Sequence, residues 1–198
     1  MNALNRSLLI IFLVLLADQC LKIWIKTHMF LGQEFHIAGD WFIIHFTENN
    51  GMAFGMELAG EYGKLFLSVF RLFAMVGIAW YLIRLAKKDT NPGLLWCIAL
   101  ILGGAIGNVV DSTFYGVFIP ENVIYNAPTP WFHGQVIDMF YVDICYCYIP
   151  EWVPIFGGTT HALWPIFNVA DSSIFLGVVT ILLMQKSFFL EKEEAPKV

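Results

Sequence analysis

The chain has 198 residues, 58% of them hydrophobic and only 14% charged. That balance excludes an ordinary soluble domain, and a formal net charge of -5 gives no footing for a nucleic-acid partner. One membrane domain covering residues 1–198 is the economical reading.

Four apolar runs can each cross a hydrocarbon core of ~30 Å, which takes about 20 helical residues. They are residues 8–25, 65–83, 93–110 and 164–184, apolar nearly all round rather than on one face. The first holds Asp18 and Lys22 at i,i+4, a spacing that eases the cost of burying both charges. No small-x-small cleavage pattern follows it, so it reads as a retained span rather than a removed signal peptide. The second carries Arg71 within the run. The third carries Gly103 and Gly107, a small-x-x-x-small spacing for close helix packing, and ends in Asn108-Val-Val-Asp111. The fourth opens close to Asn168-Val-Ala-Asp171.

Basic residues set the expected orientation. Arg84, Lys87 and Lys88 lie between the second and third runs, and Lys186, Lys192 and Lys197 in the tail, whereas residues 112–163 hold no lysine or arginine. The positive-inside bias puts both termini and the short basic loop in the cytoplasm, with segments 26–64 and 111–163 outside. Asp111 and Asp171 then share the outer boundary, and Asp138, in Gln135-Val-Ile-Asp138, lies on the loop between them.

A carboxylate at such a depth is expensive and usually serves a function. The chain has no Gly-x-Ser-x-Gly elbow and no His-Glu-x-x-His helix, and the outer loop lacks a lysine for a Ser/Lys pair. Cys20, Cys97, Cys145 and Cys147 show no redox or metal spacing, and no metal or cofactor is implied. What remains is carboxylate chemistry: two aspartates sharing one proton can activate water and polarise a peptide carbonyl. The repeated Asn-x-x-Asp phrase by itself would pair Asp111 with Asp171. A small transporter using the same acids as a relay, and a membrane scaffold, stay open on these residues alone.

Five blocks, in order, resemble the lipoprotein signal peptidases (signal peptidase II), aspartyl proteases of the bacterial cytoplasmic membrane. They are Asp18-Gln19-x-x-Lys22, Asn49-x-Gly51-x-Ala53-Phe54, Gly103-Gly-Ala-Ile-Gly107-Asn108-x-x-Asp111, Val136-x-Asp138 and Phe167-Asn168-Val-Ala-Asp171-Ser172. The resemblance implies an α-helical membrane protein of four transmembrane helices with a small extracytoplasmic β-containing portion. It also implies cleavage of diacylglyceryl-modified prolipoproteins just before the lipidated cysteine, at the outer face of the inner membrane. Membrane lipids and cyclic peptide inhibitors of the globomycin type are the other implied partners. Asp138 and Asp171 match the catalytic aspartates. Asn49, Gly51, Asn108, Asp111 and Asn168 match substrate-binding or supporting positions, and Asp18 and Lys22 a structural motif. Ser112 stands where the family usually has arginine; Arg71 is one candidate for the missing charge near Asp111, and pairing with Asp18 or snorkelling to the boundary is the more conservative alternative. The segment 139–163, rich in Tyr, Trp, Pro and Gly, is expected to form either an interfacial flap or a passive ordered hairpin.

Overall fold

The computed structural model describes residues 2–50, 63–88, 90–119, 121–144, 146–152, 158–162 and 164–189. Gly51, Ala53, Phe54 and Cys145 lie outside the described residues, as does part of the expected flap.

Among the described residues, three helices are long and apolar enough to cross a membrane: α1 (Ala3–His28), α2 (Gly63–Ala86) and Pro92–Phe118. Their outer surfaces are apolar where a soluble protein would be polar; Phe12, Phe66, Phe70, Phe73 and Trp80 all stand exposed. The inward stripe of α1 is Ser7, Ile11, Asp18, Lys22 and Ile25, so the charged pair faces the bundle rather than lipid.

The third helix runs further than its apolar composition suggests. α3 (Pro92–Val110) passes into one π turn (Asp111–Tyr115) and a last turn, α4 (Gly116–Phe118). Residues 111–118 read as loop because Asp111, Ser112 and Thr113 are polar. They stay helical because loop 132–134 covers them: Gly134 N–H donates to the Ser112 carbonyl at 3.0 Å and Phe132 N–H to the Thr113 carbonyl at 3.4 Å.

The last run is shorter than expected. α5 covers Val169–Leu183, 15 residues, followed across Met184 by α6 (Gln185–Phe189). It begins at 169, not 164, because Phe167 pairs as a β-bridge with Phe140 and Asn168 caps the helix, its side chain accepting from Asp171 N–H at 2.8 Å.

Small residues bring α1, α3 and α5 together. A Cβ on Gly104 would collide with the Ala170 carbonyl of α5, and one on Gly107 would sit 2.6 Å from Asp18 Oδ2 of α1. Outside the bundle, β1 (Glu34–Ala38), β2 (Phe42–Asn49) and β3 (Val136–Val142) form an antiparallel sheet in that order. β4 (Tyr146–Tyr148) and β5 (Thr160–Ala162) form a separate two-stranded pair. The sheet draws on both the 26–64 and 111–163 segments. It packs on one end of the bundle through Ile25, Met29, Phe46, Tyr115, Ile137 and Met139, while Ile11, Leu82, Leu95, Ile98 and Leu102 form a core among the helices.

Candidate active site

Asp138 sits mid-strand on β3, opposite Thr47, with its side chain only 1% exposed. Asn49, at the end of β2, donates to Asp138 Oδ2 at 2.9 Å, and Asn168 donates to Oδ1 at 2.6 Å. Asp171 lies in the first turn of α5, where its Oδ1 accepts from Asn108 Nδ2 at 2.8 Å. The two asparagine side chains meet at 3.3 Å, so an amide bridge, Asp138–Asn168–Asn108–Asp171, joins strand β3 to helices α3 and α5.

Behind that bridge lies a buried ionic cluster. Lys22 Nζ donates to Asn108 Oδ1 at 3.1 Å and pairs with Asp18 Oδ2 at 2.8 Å and Asp111 Oδ2 at 2.6 Å. Gln19 donates to Asp111 Oδ1 at 2.9 Å and accepts from Tyr115 Oη at 3.0 Å. Asp18 Oδ1 in turn accepts the Ala170 N–H at 2.9 Å, an otherwise orphan donor in the first turn of α5. Asp18 and Lys22 are therefore hydrogen-bonded into the site rather than isolated on α1.

The cation in contact with Asp111 is Lys22 from α1, not Arg71. Pairing Asp111 with Asp171 by their repeated motif is likewise not what the structure shows, because Asn108 faces Asp171 and Asp111 faces Lys22.

Burial pushes the Asp138 carboxyl up to about 7, with the Asp171 charge adding to it, while the hydrogen bonds from Asn49 and Asn168 pull the other way. Near neutral pH the Asp138 carboxyl is thus about half protonated.

A groove of about 530 Å³ opens beside this cluster, walled by Trp164, Phe167, Phe175 and Leu176, with Asp171 and Ser172 also lining it. Of these lining residues, Phe175 and Leu176 on α5 are exposed.

The sequence family decides the class of molecule. The family model described as signal peptidase (SPase) II matches residues 10–188. The chain belongs to the signal peptidase II family. It is 43% identical over 187 residues to a lipoprotein signal peptidase of Porphyromonas gingivalis, covering 88% of this chain and 80% of that one. It is 40% identical over 195 residues to one of Amoebophilus asiaticus, covering 96% and 82%. Among solved structures it resembles a bacterial membrane enzyme determined by the in meso method at 2.3 Å, with a TM-score of 0.61, 26% identity, and coverage of 98% of this chain and 95% of that one. A second such enzyme, at 1.9 Å, gives 0.62 and 28%, covering 91% and 92%. This signal peptidase is accordingly a membrane-embedded protease.

The structure brings Asn49, Asn108, Asp111, Asp138, Asn168 and Asp171 into one connected cluster with Asp18 and Lys22. Sequence reasoning gave no role to three contributors. Gln19 joins the ionic cluster; its signal was a second polar residue beside Asp18 in an apolar run. Glu48 and Asn122 brace the strand that carries Asn49: Lys26 pairs with Glu48 at 2.5 Å, and Asn122 donates to Glu48 at 3.0 Å and accepts from Gln135 N–H at 3.0 Å. No spacing in the chain links residues 48 and 122.

Proposed function

We propose that the peptidase removes signal peptides from diacylglyceryl-modified prolipoproteins, cutting just before the lipidated cysteine with Asp138 and Asp171 as an aspartyl dyad. The observation that carries the reading is the amide bridge that holds the buried Asp138 side chain and the Asp171 side chain at the start of α5 in a common site. Asp171 takes a proton from water as the water oxygen attacks the scissile carbonyl carbon. Asp138 gives its proton to the carbonyl oxygen, producing a gem-diol. The diol then returns a proton to Asp138 as its C–O double bond re-forms, Asp171 delivers the water-derived proton to the departing nitrogen, and the C–N bond breaks. The products are the signal peptide's carboxyl end and the free amine of the lipidated cysteine. Asn49, Asn168 and Asn108 orient the two carboxyls; Gly51, by its motif position, lines the substrate site; and Asp18, Lys22 and Asp111 support Asn108 from behind.

The topology that suits this chemistry has four crossings, both termini in the cytoplasm and the site near the outer face of the inner membrane. α5 and α6 together run from 169 to 189, about 30 Å at 1.5 Å per residue, which supports a fourth crossing. The apolar groove beside Asp171 suits an acyl chain or inhibitor entering sideways from the membrane lipid. A cyclic peptide of the globomycin type would compete there by occupying the dyad.

The test is mass spectrometry of products from purified protein incubated with one prolipoprotein in diacylglyceryl-modified and unmodified forms. A single cut preceding cysteine in the modified form supports the proposal. Equal cutting of both forms, or a cut elsewhere, refutes it.

A further inference from the structure

Asn49 reaches Asp138 through the register of the last three residues of β2. The β2–β3 ladder is irregular between Ile44 and Thr47, so the pairing of residues 42–44 is not carried through to 47–49. In that last stretch Thr47 lies opposite Asp138 and Asn49 opposite Val136, which sets Asn49 and Asp138 diagonally on one face of the sheet. A slip of one residue would turn Asn49 to the other face and withdraw its amide from Asp138 Oδ2. The ladder stops at the Asn49–Val136 pair, so Asn50 takes its hydrogen bonds from other groups.

Two side chains hold Asn50. Gln135, the residue before β3, donates from Nε2 to Asn50 Oδ1 at 2.9 Å, and its own N–H is fixed on Asn122 Oδ1 at 3.0 Å. Lys64, in the first turn of α2, donates from Nζ to the Asn50 carbonyl at 2.8 Å. The helix that carries Lys64 is itself tied down one turn later, where Ser68 Oγ donates to the Phe132 carbonyl at 2.8 Å. Phe132 and Gly134 in turn bond to the π turn through Thr113 and Ser112. Lys64 is only 3% exposed, whereas Phe66, Phe70 and Phe73 on the same helix stand in the open. Burying an ammonium is costly, and a single neutral carbonyl offsets less of that cost than a carboxylate would. A lysine kept in such a place points to a task at the carbonyl it holds.

We propose that Lys64 is a positioning residue for the active site: by holding the Asn50 carbonyl it pins the end of β2 in register and keeps the Asn49 amide on Asp138. The inference rests on the reading of Asp138 as a member of the catalytic dyad. Lys64 acts through Asn50 and Asn49, and it links the placement of α2 to the geometry of a reacting carboxyl.

The experiment uses the full-length purified peptidase and a lipidated prolipoprotein. kcat, KM and thermal unfolding are measured for wild type, Lys64→Met, Lys64→Arg, Asn49→Ala and the double variant Lys64→Met with Asn49→Ala, with Lys64→Leu as the second neutral variant should Met fold poorly. Lys64→Met is expected to lower kcat about tenfold and to change KM less than about twofold. Lys64→Arg, which keeps a donor for the carbonyl, should recover most of kcat. In the Asn49→Ala background Lys64→Met should change kcat less than about twofold, because the amide that Lys64 places is already gone. A tenfold loss that persists in that background would mean that Lys64 acts by its charge or its packing, not through Asn49. A rise in KM with kcat unmoved would make it a substrate contact, and a lower unfolding temperature with wild-type kcat would make it structural only. Any of these results, or unchanged kinetics, overturns the inference. The dyad is judged separately: an active Asp138→Asn enzyme defeats that reading, whereas an inactive one beside additive losses for Lys64 and Asn49 defeats this inference alone.

Discussion

Asn108 lies between Lys22 and Asp171, its carbonyl accepting from the lysine at 3.1 Å and its amide donating to the carboxylate at 2.8 Å. An asparagine cannot turn over without breaking both bonds, so the buried cation fixes which way the amide faces. The ionic cluster on α1 thereby orients a group that touches the proposed base.

Lys22→Met tests that dependence. It leaves Asp18 and Asp111 buried and facing each other without their cation, a change that typically costs about 3–5 kcal/mol. Thermal unfolding in detergent should show a large loss, and Asp111→Asn added to Lys22→Met should restore part of it. Additive losses in the double variant would mean that Lys22 and Asp111 are not coupled.

Gly104→Ala probes the helix contact that sets the site. The new methyl meets Ser173 Oγ and Ile174 Cγ1 at 2.8 Å as well as the Ala170 carbonyl, so α5 must move away from α3. The expected cost is about 1–3 kcal/mol, with a fall in kcat because Asp171 is drawn off Asn108. Stability and rate both at wild-type levels would show that the helices can separate without disturbing the pair.

The raised Asp138 carboxyl makes a signed prediction for stability. Its folded value, about 7, lies above the unfolded carboxylate value of about 4, so the folded state holds this proton more tightly. Raising the pH from about 4 to about 7 therefore removes stability, by a few kcal/mol at most, and above about 7 this contribution is constant. Asp138→Asn should flatten that slope in urea or thermal titrations. The same ionisation should give wild-type activity a falling limb near pH 7. An identical slope in wild type and Asp138→Asn would assign it to another group.

Much of the architecture was legible before any coordinates. The apolar runs marked the helices because lipid-facing surface must be apolar all round, and the polar letters inside them marked the site because burying them is costly. What composition hid was the reach of the elements. Asp111, Ser112 and Thr113 look like loop but continue a helix once residues 132–134 cover their carbonyls, and 164–168 looks like helix but is claimed by the bridge to Phe140. The repeated Asn-x-x-Asp phrase hid more. At 108–111 both residues are helical, and Asp111 N–H bonds to the Asn108 carbonyl, which frees the Asn108 side chain to cross to Asp171. At 168–171 the asparagine is an N-cap that spends its Oδ1 on the Asp171 N–H and its Nδ2 on Asp138. One spelling gives two geometries, so the echo alone did not say which group each aspartate faces.

The central claim is that Asp138 and Asp171 together cut the lipidated prolipoprotein. The direct measurement is release of its signal peptide by purified wild type, Asp138→Asn and Asp171→Asn, with each variant first shown to be folded by its thermal transition. Each substitution is predicted to reduce the rate by at least about a thousandfold while the protein remains folded. A folded Asp138→Asn or Asp171→Asn enzyme that cleaves at a rate near wild type would contradict the account.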